Sequence, residues 1–246
     1  MHLAFVFSFI CFLLTSIGAS LVFVIKKTNN TITAFLNSFS AGVMISSSIF
    51  SLIIPSIEYC NSLNIKSWIV LPICFSIALI AFILINKFTK QDETIINIRS
   101  VAISIGLHNI PEGMCVGFAF ASASVLGGIN ALTSAVMVAI GIGIQNAPEG
   151  SSLSFPLYAN GFSKFKSFAI SSLVGFIEVP SALLAFFIGL NYLSILPYML
   201  AFSAAIMIAV ASIDLMPESV SLNKYISIIG FFIGFIIMMV LDLALS

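Results

Sequence analysis

Two short motifs share one pattern, in which a glutamate follows an imidazole or an amide side chain. Residues 108–113 are HNIPEG, and residues 145–150 are QNAPEG. In each motif the glutamate lies four residues after the first residue, so both side chains lie on one face of a helix. An asparagine lies three residues before each glutamate. The six side chains concerned are His108, Asn109, Glu112, Gln145, Asn146 and Glu149.

These residue types are suited to binding a divalent cation. Two helices that met through these faces would present an imidazole, carboxylates and amides to one ion. Imidazole favours zinc, iron, nickel and copper, whereas oxygen ligands alone would suit magnesium or calcium. Glu178 is a further candidate ligand, with a structural hydrogen-bonding role as the alternative. Asp214 and Glu218 either line an exit path or are simply solvated.

A proline precedes the glutamate in both motifs. Pro111 and Pro148 cannot donate a backbone hydrogen bond to the carbonyls of Leu107 and Ile144. We therefore expect the two helices to be interrupted at the motifs, with the freed carbonyls as kink points or additional ligands.

The composition places these motifs in a membrane. Of the 246 residues, 60% are hydrophobic and 7% are charged, and the mean hydropathy is +1.20. Soluble domains carry about 25% charged residues, so this chain could not cover a water-facing surface. The net charge is zero and no basic run occurs, which gives no indication of nucleic-acid binding. The four cysteines form no CxxC pair and predict no disulfide framework.

Apolar runs long enough to cross a bilayer occupy most of the chain. A spanning helix needs roughly 20 mostly apolar residues, and no soluble domain remains between the runs. We predict one transmembrane domain over residues 1–246 with eight spans. The spans lie near 3–25, 32–56, 68–88, 98–124, 128–159, 165–190, 194–217 and 224–245.

Basic residues predict the orientation of the bundle. All of them except Lys66 follow odd-numbered spans, and these ends should face the cytoplasm by the positive-inside rule. Both termini are then expected outside the cell. The cytoplasmic set is Lys26, Lys27, Lys87, Lys90, Arg99, Lys164, Lys166 and Lys224.

The carboxylates at the centres of the spans need positive charge from elsewhere. Glu112, Glu149 and Glu178 lie near the centres of spans four, five and six, and no span has a Lys or Arg in its interior. A carboxylate at a helix centre costs roughly 2.5–3.5 kcal/mol on insertion scales. Protons or a bound cation must therefore compensate these groups.

A second repeat supports a transporter architecture. FSAGVMI at 39–45 recurs as FSAAIMI at 202–208, and each copy is followed by a proline near the end of its span, Pro55 and Pro217. In both repeats the paired spans run in opposite directions, as in the inverted repeats of secondary transporters. We predict an all-α integral membrane protein with eight transmembrane helices in a 3+2+3 arrangement.

The motifs together resemble the signature of the ZIP family of metal-ion transporters, in its bacterial GufA-like branch. The resemblance extends to EVP at 178–180, DLMPE at 214–218 and the glycine-rich last span. It implies import of zinc, and also of iron, manganese or cadmium, through the cell membrane into the cytoplasm. It further implies a homodimer and a rigid-body movement of the helices that carry the site. The transported ion is then the substrate, and no resident cofactor is expected.

The resemblance also implies two adjoining metal positions that share Glu112 and Glu149. His108 and Gln145 would complete the primary position, and Asn109, Asn146 and Glu178 the second. Many family members have histidine in place of Gln145, and an amide is a weaker zinc ligand. Many also have a long histidine-rich loop after span three, whereas the loop near 88–98 is short and contains no histidine.

Two alternative functions are open at this stage. A gated metal channel could use the same side chains, and the sequence does not discriminate it from a carrier. An intramembrane metalloprotease would need the HExxH motif, which is absent from a chain whose two histidines are His2 and His108. We therefore expect no enzymatic activity.

Overall fold

A computed structural model describes residues 1–24, 29–89, 98–159 and 161–245. These ranges form helices and no strand. The elements are α1 (His2–Val24), α2 (Asn30–Ser47), the π-helical turn π1 (Ser48–Ile53), α3 (Ile54–Ser62), α4 (Ser67–Thr89), α5 (Ile98–Leu126), α6 (Gly128–Ala159), α7 (Lys164–Phe176), α8 (Glu178–Gly189), a 3₁₀ turn (Leu193–Ile195), α9 (Leu196–Val210), the π-helical turn π2 (Ala211–Leu215), α10 (Met216–Leu222) and α11 (Lys224–Leu245).

The helices have the lengths that a multi-pass membrane protein requires. Within the described ranges, seven helical stretches are long and apolar enough to cross a bilayer, and α5 adds a further long helix of 29 residues. The second and sixth of these seven stretches run on to Ser62 and Leu222, beyond the ends expected from the sequence. The prediction of an all-α integral membrane protein is confirmed. Lys26, Lys27 and Lys90 lie outside the described residues, and the orientation stays a prediction.

A π-helical turn follows each copy of the repeat at 39–45 and 202–208, which we call the FSA repeats. In π1 the amide of Ile54 donates to the carbonyl of Ile49, and in π2 the amide of Met216 donates to the carbonyl of Ala211. Both bonds span five residues, and each lies directly before a proline. A proline lacks the N–H that a regular turn would need, and the wider turn keeps the helix running past it. The two repeats therefore share a local backbone feature as well as their sequence.

The expected interruptions at Pro111 and Pro148 were wrong. Helices α5 and α6 continue through these prolines. Membrane helices tolerate a proline because neighbouring groups and small local adjustments satisfy the freed backbone positions. In the sixth span the helical hydrogen-bond pattern is interrupted at Ile177, between α7 and α8, where the backbone keeps helical dihedral angles; we call this interruption the helix break.

One group of helices is joined by close backbone contacts at glycines. Gly18 and Gly150 bring the backbones of α1 and α6 together, and Gly113 and Gly117 do the same for α5 and α8. A methyl group at any of these four positions would collide with the backbone of the facing helix. Helix α7 packs on α1 and α6. We call α1, α5, α6, α7 and α8 the site group.

The remaining helices form a second set around α2 and α9. Gly42 and Gly234 let α2 and α11 approach to backbone contact. Helix α4 packs mainly on α9, and α3 and α10 continue from the two π turns. We call α2, α3, α4, α9, α10 and α11, with the two π turns, the frame group. The two groups meet chiefly where α5 packs on α9 and α2 packs on α6.

Candidate metal centre

Three glutamates from three helices of the site group lie inside the bundle. Glu112 on α5 and Glu178 at the start of α8 are fully buried, and Glu149 on α6 is 4% exposed. The three carboxylates are close enough to act on one another electrostatically. The packing thus places acidic groups from separate parts of the chain in one low-dielectric region.

An amide of α6 connects the first of these carboxylates to the frame group. The Nε2 group of Gln145 donates to Oε1 of Glu112 at 2.9 Å. The same nitrogen lies 3.8 Å from Sδ of Met207 on α9. All three side chains are completely buried. Gln145 therefore connects the candidate site to the frame group.

A second amide of α6 holds Glu178. The Nδ2 group of Asn146 lies 2.8 Å from both carboxylate oxygens of Glu178. Glu178 follows the break at Ile177, and its backbone lies directly against Gly113 of α5. The start of α8 thus lies against α5, and the Glu178 carboxylate contacts α6 through Asn146.

The other two predicted ligands on α5 lie one turn earlier. Asn109 is buried, and its Nδ2 group donates to the carbonyl of Val174 on α7 at 3.3 Å. The side chain of His108 lies outside the described part of the structure, and its role as a ligand stays a prediction. Asn109 thus ties α5 to α7 just before the helix break.

Several oxygen acceptors at this centre have no hydrogen-bond partner among the described residues. They are Oε2 of Glu112, Oε1 of Gln145 and Oδ1 of Asn146. Leaving a buried acceptor unsatisfied costs about 1–3 kcal/mol. A cation bound beside such an oxygen would supply the missing partner.

The side chains as they stand do not form a finished metal site. Within the described residues, no three His, Cys, Asp or Glu groups are arranged to hold an ion. The amide nitrogens of Gln145 and Asn146 instead contact the carboxylates of Glu112 and Glu178. Rotation of each amide would replace its nitrogen with the oxygen that now lacks a partner, and would leave the carboxylates available to a cation.

The two acidic residues proposed for an exit path belong to the frame group. Asp214 is half-buried in π2, and Glu218 is exposed on α10. Their positions are compatible with both predicted roles, a path for the ion and simple solvation.

Sequence reasoning missed Asp242 in the frame group and Met207 beside the centre. Asp242 on α11 accepts a hydrogen bond from Oγ of Ser51 in π1 at 2.5 Å, and both side chains are at least half-buried. An aspartate inside the last apolar run was the available signal. Met207 gave no signal beyond its place in the second FSA repeat, because nothing in the sequence indicates which helix faces Gln145.

Cys115 packs against the frame group. Its Sγ lies 3.2 Å from Oγ of Ser203 on α9, and its side chain is fully buried. The thiol therefore has a hydrogen-bond partner on a neighbouring helix.

Replacing Asn146 with alanine is expected to lower the stability of the bundle. The change removes the α6 amide that donates to Glu178 and leaves a buried carboxylate without that donor, at a cost of about 1–3 kcal/mol. Thermal unfolding of detergent-purified protein in a metal chelator would measure it. Asn191→Ala is the matched control, because its amide makes an exposed bond at 3.4 Å. Equal melting midpoints for the two variants would contradict the expectation.

Comparison with known proteins places this architecture in a family. A family model described as ZIP Zinc transporter matches residues 91–242. The chain is 33% identical to the zinc transporter ZupT of Streptococcus mutans, with 96% of this chain and 95% of the relative aligned. It is 30% identical to ZupT of Clostridium perfringens, over 97% of this chain and 94% of the relative. It is also 38% identical to the human zinc transporter ZIP11, over 61% of this chain and 44% of the relative.

The matched family region begins shortly before α5 and runs almost to the end of α11, so it contains both motifs, Glu178 and the DLMPE segment. The two ZupT alignments extend over nearly the whole of both chains. The protein therefore belongs to the ZIP zinc transporter family, whose members are carriers and not enzymes.

Proposed function

We propose that this protein is a secondary carrier that imports divalent transition-metal ions, zinc foremost, across the cytoplasmic membrane. Iron, manganese and cadmium are the further candidate substrates. The observation that carries the proposal is the burial of Glu112, Glu149 and Glu178 within one membrane-spanning group of helices. Among the described residues, every Lys and Arg lies at or near a helix end, and a cation is the natural partner for these carboxylates.

The two motif helices supply the proposed ligands. Glu112 and Glu149 would bind the ion in both positions, with His108 and Gln145 completing the primary one. Asn109, Asn146 and Glu178 would complete the second. The contact of Asn146 with Glu178 supports this division because both belong to the second position, and the contact of Gln145 with Glu112 places a primary-position amide beside a shared carboxylate.

The ion would leave these positions towards the cytoplasm past Asp214 and Glu218. The half-buried Asp214 and the exposed Glu218 form a gradient of exposure away from the bundle interior. The direction of transport, the position of both termini outside the cell and a homodimeric assembly come from the family resemblance and the charge pattern, and they form part of the proposal.

A rigid-body movement of the site group against the frame group would carry the ion. The glycine contacts between α1 and α6, and between α5 and α8, are made by backbone atoms, so these helices are suited to move as one unit. The candidate ligands on α5, α6 and α8 all belong to this unit. Contacts such as that of Gln145 with Met207 cross to the frame group through side chains, which can exchange partners.

The direct test is metal uptake by purified protein in proteoliposomes. Saturable uptake of zinc and cadmium is expected from the wild type, and protein-free liposomes are the background. His108→Ala would show whether the residue outside the described structure takes part. A folded, monodisperse wild type that moved no divalent metal would contradict the proposal.

Replacing Gln145 with histidine is expected to strengthen zinc binding. An imidazole is a better zinc ligand than a neutral amide, and the KM for zinc should fall roughly tenfold, the lower end of the effects seen for changes around a metal centre. Initial rates of uptake across a zinc concentration series would measure it. An unchanged or higher KM would show that this position does not bind the ion.

A further inference from the structure

A cavity of about 500 Å³ lies between α4 and α9 of the frame group and α5 of the site group. Its volume is within the range of sites that hold small molecules, roughly 300–1,000 Å³. Among the described side chains that line it, the Cys74 thiol and the Tyr198 hydroxyl are the only groups with a polar hydrogen. A water molecule in a cavity needs about two to four polar partners, so this cavity is suited to an apolar occupant.

The cavity opens towards the lipid. Ile73 and Ile77 on α4 line it and are about half exposed, and Ile110 on its α5 side is also exposed. In a membrane these surfaces meet acyl chains and not water. A hydrocarbon chain can therefore enter the cavity from the bilayer, and it would supply the dispersion contacts that the lining of an empty cavity lacks.

A basic residue indicates which kind of lipid supplies the chain. Lys87 lies in the last turn of α4 and is exposed. It follows Ile73 by about four helical turns, so it lies on the same side of α4 as the opening of the cavity. It is also about 7–8 Å along the helix from Phe82, the last lining residue of α4. A chain that leaves the cavity at this end brings its headgroup to the level of Lys87, which favours an anionic headgroup.

We propose that this cavity binds an acyl chain of an anionic phospholipid, and that the chain holds α5 in the observed position. The α5 wall of the cavity is formed by Ile110, Pro111 and Met114. At roughly 100° per residue, Glu112 lies on nearly the opposite face of this helix, so the chain contacts the back of the helix that carries the candidate ligand. A movement of α5 against α4 and α9 would change the shape of the cavity, and a chain that fits the observed arrangement favours it over others. This second part of the proposal rests on the proposed transport function.

Fluorescence quenching by brominated lipid tests the binding. Trp68 is the only tryptophan of the chain, so Phe202→Trp in a Trp68→Phe background places one reporter in the cavity wall. In phosphatidylcholine vesicles, brominated phosphatidylglycerol should quench this reporter about fivefold more effectively than brominated phosphatidylcholine at equal mole fraction, which is the preference that one lysine gives. Phe232→Trp is the matched control, because Phe232 is exposed on α11 and does not line the cavity. Both lipids should quench it equally.

Two lysine variants and the unmodified protein complete this test. Lys87→Gln should abolish the preference for phosphatidylglycerol, and Lys66→Gln, beside the other end of α4, should retain it. Equal quenching of the cavity reporter by both lipids would overturn the proposal. So would emission that changes with protein concentration and not with lipid, because a second copy of the chain would then cover the cavity. Wild-type protein purified in detergent from mixed vesicles should retain phosphatidylglycerol in preference to phosphatidylcholine, and retention without preference would also contradict the proposal.

Zinc uptake tests the effect of the chain on α5. In vesicles that contain phosphatidylglycerol, Lys87→Gln should take up zinc about fivefold faster than the wild type, because the weaker binding of the chain favours the observed arrangement less. Lys66→Gln should match the wild type, and it controls for the loss of one positive charge. Equal uptake by the two lysine variants would overturn the second part of the proposal. A wild type that shows preferential quenching but moves no metal would instead contradict the proposed transport function and leave the lipid site intact.

Discussion

Replacing Glu112 with glutamine is expected to reduce zinc uptake by about 100-fold or more. Losing a residue that supports a metal ligand lowers metal affinity or activity by about 10- to 100-fold. Losing a carboxylate that itself binds the ion should lower uptake by at least the upper end of that range. Glutamine preserves the size of the side chain and removes its charge. Inside the bundle no solvent can replace that charge, and the other glutamates would face a divalent ion with one fewer negative group. Initial rates of zinc uptake by proteoliposomes would measure the effect.

The control for this variant is Glu58→Gln. Glu58 is an exposed carboxylate on α3, and neutralising it should leave uptake close to wild type. Both proteins must elute as single species with unchanged helix content, so that a loss of transport is not a loss of fold. A lost contact at a metal centre should change uptake by much more than about threefold. If uptake by a folded Glu112→Gln variant stayed within about threefold of wild type, the proposed role of the site would be refuted.

Replacing Gly113 with alanine is expected to disrupt both the packing of the site group and transport. The added methyl group would collide with the backbone of Glu178, so α5 and α8 would have to separate. Overpacking of this kind costs about 1–3 kcal/mol. The separation would also move the Glu178 carboxylate relative to Glu112. A displacement of about 1 Å can lower the rate about 100-fold at a site that depends on geometry. The rate of zinc uptake should therefore fall by a similar factor.

Gly106→Ala is the matched control on the same helix. A methyl group there meets only the tip of the Ile177 side chain, at 3.1 Å, which can rotate away. Alanine also favours helix over glycine by about 1 kcal/mol in soluble hosts, so this variant should unfold at the same temperature as wild type or slightly higher. Similar melting temperatures and similar uptake for both glycine variants would show that the approach of α5 to α8 is not required.

Much of the candidate site could be predicted from residue types and spacing. Glu112 and Glu149 recur in matched motifs and lie in apolar runs, where an ionised group is costly enough to indicate a function. The same spacing predicted that Gln145 and Asn146 would accompany them. The structure places these amides beside Glu112 and Glu178, and comparison with known proteins places the chain in a transporter family.

Other features could not be predicted because they depend on contacts between distant segments. Helices α5 and α6 continue through Pro111 and Pro148, whereas π turns precede Pro55 and Pro217. A proline alone therefore does not determine where a membrane helix deforms. Its surroundings decide whether the helix widens, breaks or continues.

By itself, the sequence determined that the protein is a helical membrane protein and which types of ligand it places within the bilayer. Those properties follow from local hydropathy and from the cost of burying charge, and both are readable along the chain. Only the tertiary structure decided which ligands meet and which helix of the frame group faces them. The approach of α8 to Gly113 and of Met207 to Gln145 depends on backbone and side-chain contacts between residues more than 60 positions apart.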